Sequence, residues 1–314
     1  MSISIVFVAY ASLTAGAGHV RRSSVLARHL ISVGFKAHLR GNVELDWLVR
    51  ECEESFDSVS NLSETEFFDV LVIDTYDPIL IQRATEKIKS KFTIQIADGF
   101  TPLIEPFPLL WLEPIPPSDE VLKFTEVLGF GISYFPLRKF KRSLGFSRVG
   151  KEVLVTSGGT SDLETFNLLM VASQSLEFRE IHFNFFTNKH PEKNMPLNWT
   201  VFETGQEMEL VLAECDTVIS AAGTSMWDFL ANEFPLAAFK YSDNQKMNFE
   251  YVVDNKLALP FDFRNGNIKD VSLVLESLLL SSTSRESLTK LSSSILDFEG
   301  PGRFSKIIQS RFAP

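Results

Sequence analysis

Apolar residues along this chain gather in short runs separated by stretches in which they recur every three or four positions. In the first half the runs are "SIVFVAY" (4–10), "FKAHLR" (35–40), "DVLVIDT" (69–75), "FTIQIAD" (92–98) and "LLWLEP" (109–114). Short β-rich runs of this kind predict buried strands. Helices are expected to begin near Val20, at Asp77 just before Pro78, and near Pro117. Strands alternating with helices imply βαβ units and a parallel sheet covered on both faces.

A basic stretch follows, "LRKFKRSLGFSRVGKE" (137–152), and the alternation then restarts. The second set of runs is "EVLVTSG" (152–158), "EIHFNFFT" (180–187), "WTVFET" (199–204), "DTVISAA" (216–222) and "PLAAFKYS" (235–242). Each half opens with an apolar strand and a glycine loop. The pattern predicts an α/β chain of two Rossmann-like domains facing a cleft, the usual place for a ligand. We place the first domain at 1–140, the linker near 138–150 and the second domain at 150–300. In the tail "EGPGRFSKIIQSRF", Gly300, Pro301 and Gly302 are expected to break one helix. A short amphipathic helix, 301–314, should follow and dock back on the first domain.

Composition narrows the class. At 314 residues the chain is long for one domain, given about 150 residues per domain. Hydrophobic residues make up 45% and charged residues 22%, enough apolar material for a substantial core, where most of the 28 phenylalanines should lie. A net charge of −10 argues against a nucleic-acid surface. No apolar run reaches the roughly 18 residues of a membrane span. The first basic residue, Arg21, follows the first apolar run, whereas a signal peptide needs a basic segment before it. Cys52 and Cys215 are too few for a disulfide framework or a CxxC metal site, so a reduced cytoplasm is the expected compartment.

Three glycine loops carry the candidate chemistry. In "TAGAGHVRR" (14–22), Gly16 and Gly18 fit the first two positions of a dinucleotide fingerprint, but Arg21 occupies the third, where glycine allows close helix–strand packing. What remains is a helix start at the carboxyl edge of a strand, with His19 in its first turn. Alone, His19 is either a polar helix-starting residue or a working group, and Arg22 is either solvated or a partner for phosphate or carboxylate. In "TSGGTSD" (156–162), Gly158 and Gly159 permit close backbone approach, and Thr160, Ser161 and Asp162 suit a helix cap. In "SAAGTSMWD" (220–228), Gly223, Thr224 and Ser225 open a helix whose N–H groups and hydroxyls suit a diphosphate. Asp228, a turn further on, suits ribose hydroxyls. Asn244 and Gln245 begin another helix and could bind sugar hydroxyls or the helix's own N–H groups.

Taken together, GxGHVxR near the amino terminus, the GG(T/S) loop and GTxxWD followed by NQ resemble the nucleotide-sugar hydrolase of pseudaminic acid biosynthesis and its spore-coat polysaccharide relative SpsG, with MurG-type glycosyltransferases more distant. "VIDTYD" (72–77), "IQIADGF" (94–100) and "LGFGISYFPLRKF" (128–140) match further landmarks in order. The resemblance implies the GT-B fold, with the nucleotide on the carboxy-terminal domain and the sugar pocket on the amino-terminal one. It implies that His19 activates water, that Gly18, Arg22, Asp74 and Tyr76 line the sugar side, and that Asn244 and Gln245 close the site. It implies that Gly158, Gly159, Thr160, Gly223, Thr224 and Ser225 hold the diphosphate and Asp228 the ribose. Aspartate at 228 in place of the family's usual glutamate, and the extra residue in "GGTSD", depart from the pattern.

The implied reaction is hydrolysis of a nucleotide sugar, with UDP favoured as the nucleotide. A neutral histidine is a suitable base near neutral pH, and helix N-terminal donors can stabilise the leaving diphosphate. No DxD pair stands out, so neither metal nor cofactor is expected; Asp77 reads as a helix cap before Pro78. Transfer of the sugar to a glycan, lipid or small-molecule acceptor is the alternative, because only the acceptor differs. Binding without catalysis is a third reading.

Overall fold

The computed structural model describes residues 2–12, 16–97, 110–116, 119, 123, 131–143, 145–158, 163–187, 195–203, 208–261 and 268–312. The chain divides into two compact units, Met1–Arg138 with Asp297–Pro314, and Lys139–Leu296.

In the first unit the strands are β1 (Ser4–Ala9), β2 (Lys36–Arg40), β3 (Ser58–Ser60), β4 (Glu66–Phe67), β5 (Val70–Asp74), β6 (Ile88–Lys89), β7 (Phe92–Ile96) and β8 (Leu110–Leu112). Six of them form one sheet in the order β3-β2-β1-β5-β7-β8, with every pair parallel, while β4 and β6 pair separately. Every residue of β5 is buried, as a continuous apolar run with both faces covered requires. Val6, Val8, Leu71 and Ile73 from the two central strands pack with Ile81 and Ala84 of the helix Pro78–Lys87. That helix has Asp77 as its cap: the side chain accepts from Ile79 N (2.9 Å) and Leu80 N (3.4 Å).

The second unit repeats the plan. Its strands are β9 (Glu152–Thr156), β10 (His182–Phe186), β11 (Trp199–Phe202), β12 (Thr217–Ala221), β13 (Leu236–Phe239) and β14 (Leu259–Pro260), in the order β11-β10-β9-β12-β13-β14, all parallel. Aromatic pairs pack within its core. Phe183 stacks on Trp199 with ring centroids 4.8 Å apart, and Phe166 lies 4.4 Å from Phe185. The basic stretch after Arg138 is tied to this unit. Phe140 N donates to Asn232 Oδ1, Arg142 lies over the Phe234 ring, and the buried Arg285 donates to Ser147 O and Thr217 Oγ1.

All ten apolar runs become strands of the two sheets. The first helix begins at Gly18, two residues before Val20, and the expected start near Pro117 lies outside the described residues. The expectation for the tail is corrected at one point. The helix Ser282–Ile295 ends before the Gly-Pro-Gly segment, and Gly300, Pro301 and Gly302 form the first turn of the next helix, Gly300–Phe312. Proline is tolerated there because first-turn N–H groups have no intrahelical partner. This terminal helix buries Phe304 and Ile308 and packs on the helix Gly18–Ser32, with His29 Nε2 3.3 Å from Ser305 Oγ. Arg303 fixes its entry through Asp297 (2.7 and 2.8 Å) and the Ser133 carbonyl (2.7 Å).

Gly300 sits against the backbone of Phe135, where an added Cβ would lie 2.3 Å from the carbonyl oxygen. Rigid backbone cannot yield as a flexible side-chain end would. Gly300→Ala should therefore lower stability by about 1–3 kcal/mol through overpacking, read as a lower urea midpoint at unchanged slope. An unchanged midpoint would show that the terminal helix can shift at no cost.

Candidate functional site

In each sheet the order reverses beside the first strand, between β1 and β5 in one unit and between β9 and β12 in the other. At such a switch point the loops leaving two adjacent strands diverge and open a crevice at their carboxyl ends. The sequence-predicted residues fall at these two places.

In the first unit, β1 ends at Ala9 in register with Asp74, the last residue of β5. The helix Gly18–Ser32 starts close by and brings His19 and Arg22, one turn apart, onto the Asp74 side chain. His19 Nδ1 lies 2.6 Å from Asp74 Oδ1. Arg22 Nε donates to Oδ2 at 2.7 Å, and its Nη2 donates to Oδ1 in a close contact. Ser23 Oγ adds a longer bond to Oδ2, at 3.3 Å. Asp74 is fully buried, and His19 and Arg22 are 3% and 2% exposed. An ionised carboxylate only accepts hydrogen bonds, so the ring nitrogen facing it carries the proton. That assignment rests on the hydrogen-bond geometry, and in the neutral ring it makes Nε2 the acceptor.

Burial opposes ionisation of Asp74, but the Arg22 guanidinium, with His19 beside it, overcomes this and holds the carboxyl below the usual carboxylate range. Two tyrosines flank the imidazole. Tyr10 stacks at 5.9 Å between centroids with planes 20° apart, and Tyr76 meets it edge-on at 4.5 Å. Burial and then the nearby Asp77 carboxylate push the Tyr10 phenol up, against the Thr75 hydroxyl, so Tyr10 is a neutral hydroxyl at physiological pH. Gly18 is the first helical residue and half-buried. Arg21, the residue that breaks the dinucleotide fingerprint, turns towards the helix Asp46–Ser55. Its guanidinium lies 4.6 Å from the Trp47 ring centroid and 3.5 Å from Glu51.

In the second unit, Gly158 follows β9 with φ +82°, a left-handed conformation natural to glycine, and its N–H donates to Thr156 Oγ1 at 3.0 Å. Gly159 and Thr160 lie outside the described residues. Gly223 caps the helix Thr224–Ala231 with no side chain of its own, and Thr224 and Ser225 are half-buried in its first turn. Asp228, on the same helix, is 4% exposed. Asn244 and Gln245 lie in a 3₁₀ turn, Asp243–Gln245. Gln245 is buried and accepts from Tyr241 N at 3.1 Å, while Asn244 Oδ1 accepts from Ser242 Oγ at 2.6 Å. The Tyr241 hydroxyl donates to Ser157 O at 3.2 Å and so ties the β13 loop to the β9 loop.

The structure thus gathers His19, Arg22, Asp74 and Tyr76 in the first unit, and the Gly158, Gly223 and Gln245 loops around adjacent strand ends in the second. Sequence reading left Tyr10, Ser23, Thr75 and Tyr241 unassigned; the residues that end β1, β5 and β13 are the signal that could have singled out Tyr10, Thr75 and Tyr241. Neither cysteine contributes. Burial pushes the Cys52 thiol up to about 12 and raises Cys215 as well, so both are inert near neutral pH. Among the described residues no group of three His, Cys, Asp or Glu side chains could hold a metal ion. Nor is any helix among them long and apolar enough to cross a membrane.

No protein-family model matches the chain, and no curated protein matches it in sequence. Solved structures match along its whole length. The glycosyltransferase of kitacinnamycin superposes with a TM-score of 0.70 at 14% identity, over 100% of this chain and 99% of that one. A putative UDP-N-acetylglucosamine 2-epimerase from Listeria monocytogenes gives 0.67 at 11% identity, over 99% and 97%. MurG from Acinetobacter baumannii gives 0.63 at 10% identity, over 98% and 99%. The likeness is one of fold, and the chain has the GT-B fold of two Rossmann-like units.

The Asp74 cluster sets a stability dependence on pH. A carboxyl held below its unfolded value near 3.9 contributes stability above that pH, which is lost as pH falls through the folded value. Removing one partner of a buried pair costs about 3–5 kcal/mol. Asp74→Asn should therefore lower the urea midpoint at pH 7, and its gap from the unsubstituted protein should close only below about pH 3.9. A gap of constant size from pH 7 to 2 would show that the Asp74 charge contributes nothing.

Proposed function

We propose that the protein is a glycosyltransferase that takes its sugar from a nucleoside diphosphate donor and uses His19 as the base on the acceptor hydroxyl. The observation that carries this reading is the buried contact of His19 Nδ1 with Asp74 Oδ1, 2.6 Å, which leaves Nε2 free to accept a proton. The GT-B fold, shared with glycosyltransferases such as those of kitacinnamycin and spinosyn biosynthesis, supports transfer over hydrolysis.

In this reading the acceptor O–H gives its proton to His19 Nε2 while its oxygen attacks the anomeric carbon. The bond to the diphosphate breaks, and its electron pair leaves with the nucleotide. One displacement inverts the anomeric centre. Asp74 and Arg22 are bonded to each other and act through His19, and Tyr76 and Gly18 belong to the sugar side. The leaving diphosphate suits the start of the helix Thr224–Ala231, with Gly223, Thr224 and Ser225 and the Gly158, Gly159 and Thr160 loop as its donors. Asp228 takes the ribose, and Asn244 binds the donor beside a loop that Gln245 shapes. UDP is the favoured nucleotide, and assembly of a surface glycan the favoured setting.

Hydrolysis, with water in the acceptor's place, is the second reading. The ordered motifs GxGHVxR, GGT and GTxxWD with NQ favour it, through their resemblance to the pseudaminic acid pathway hydrolase and SpsG.

A panel of UDP-, CMP- and GDP-sugars, assayed with and without sugar, lipid and small-molecule alcohols, separates the two. Transfer predicts nucleotide release that depends on an acceptor and falls about 100-fold or more in His19→Ala with donor binding retained. Equal release with and without acceptor would replace transfer by hydrolysis, and release insensitive to His19→Ala would remove the base role. Asp228→Ala should weaken nucleotide binding about 10- to 100-fold, the range for hydrogen bonds to a charged group, measured by calorimetry. Unchanged affinity would remove its ribose role.

A further inference from the structure

We infer that Arg22 is a positioning residue that keeps His19 neutral, by supplying the counter-charge that the buried Asp74 would otherwise draw from the imidazole. The inference rests on the reading of His19 as the base and adds what makes that base available.

A carboxylate with no solvent exposure requires a positive partner, because burying an unpaired charge is strongly unfavourable. Among the described residues, two cationic candidates touch Asp74. Arg22 is charged at every accessible pH and meets both oxygens with its planar fork. His19 meets one oxygen with one N–H. The Arg22–Asp74 pair is therefore already neutral without the imidazole. A proton on Nε2 would place a second positive charge beside a single negative one, with Arg22 Nη2 only 3.1 Å from His19 Nδ1. Remove the guanidinium, and His19 becomes the cation left to balance Asp74. The ring then takes up a proton and loses the lone pair that catalysis needs.

Among the described residues, the charged and titratable groups around the ring are few. Arg22 comes from the same helix, Asp74 and Tyr76 from the end of β5 and its loop, and Tyr10 from the end of β1 with Asp77 beyond it. The Phe135 ring covers the Arg22 guanidinium at 5.7 Å and brings no charge. Arg22 also lies one turn from His19 on a single helix, so the counter-charge is built into the element that presents the base.

The test is nitrogen NMR of the full chain with labelled histidine at pH 7.5, which needs no donor and so stands apart from the identity of the reaction. The unsubstituted protein should show His19 with one protonated and one unprotonated ring nitrogen. Arg22→Met should convert it to the doubly protonated form, and Arg22→Lys, which keeps the charge, should hold it neutral. With an active donor, Arg22→Met should lower kcat/KM at pH 7 by about 10- to 100-fold, and its acid limb should move to higher pH. A neutral ring in folded Arg22→Met would overturn the inference. Should that variant not fold, a protonated ring in Arg22→Lys at pH 7.5 would overturn it instead, and a neutral ring there would support it.

Discussion

A carboxylate sealed from water cannot remain ionised unless a positive charge comes to it, and the first unit is arranged so that one does. Asp74 ends a strand buried along its whole length, and burial alone would neutralise it. The helix Gly18–Ser32 answers with Arg22 and His19 on one face, one turn apart. Rotating that helix by a residue would point both away from β5 and leave the carboxylate unpaired. The electrostatic requirement and the packing of Val20, Leu26, Ala27 and Leu30 thus select the same helix setting. The geometry around His19 follows from that one constraint.

The second unit uses the same strand order with different residues at its strand ends. Among the described residues, its switch point is formed mainly by loops and a helix start, with Asp228 buried on that helix. The strand ends lead into a glycine with left-handed φ and a helix that opens on Gly223 with small hydroxyls behind it. Tyr241 ties the β13 loop to the β9 loop through Ser157 O, Gln245 ties its own loop through Tyr241 N, and Asn244 is half-buried. A dry ion pair suits proton transfer, whereas backbone N–H groups at a helix start suit a large diffuse anion. The two sheets share a strand order, and different residues follow their strands.

Much of this was legible in the order of residues. Continuous apolar runs mark ten strands because parallel sheets bury both faces, and Asp77-Pro78 marks a helix start by chemistry local to three residues. The strands β3, β4, β6 and β14 were not picked out, since each spans only two or three residues and no separate run marked it. The Gly-Pro-Gly segment was misread because the same residues suit a helix break and a first turn; the Phe135 backbone that demands Gly300 lies far away in sequence. His19 and Asp74 were singled out through a motif, while the role of Arg22 stayed ambiguous. Its partner is 52 positions away, and only the pairing of β1 with β5 brings the two together.

The first unit is discontinuous, and this governs the order in which it can be completed. Its helix Gly18–Ser32 receives part of its cover from Gly300–Phe312, after the whole second unit has intervened in the chain. During synthesis the segment bearing His19 is made before the second unit, but its outer packing is made after it. The second unit, whose elements are contiguous, has every partner it needs sooner. Domains fold as units as their residues become available, so the second unit can reach its final state while the first still waits. The helix Gly300–Phe312 then acts as the clasp that closes the element carrying His19.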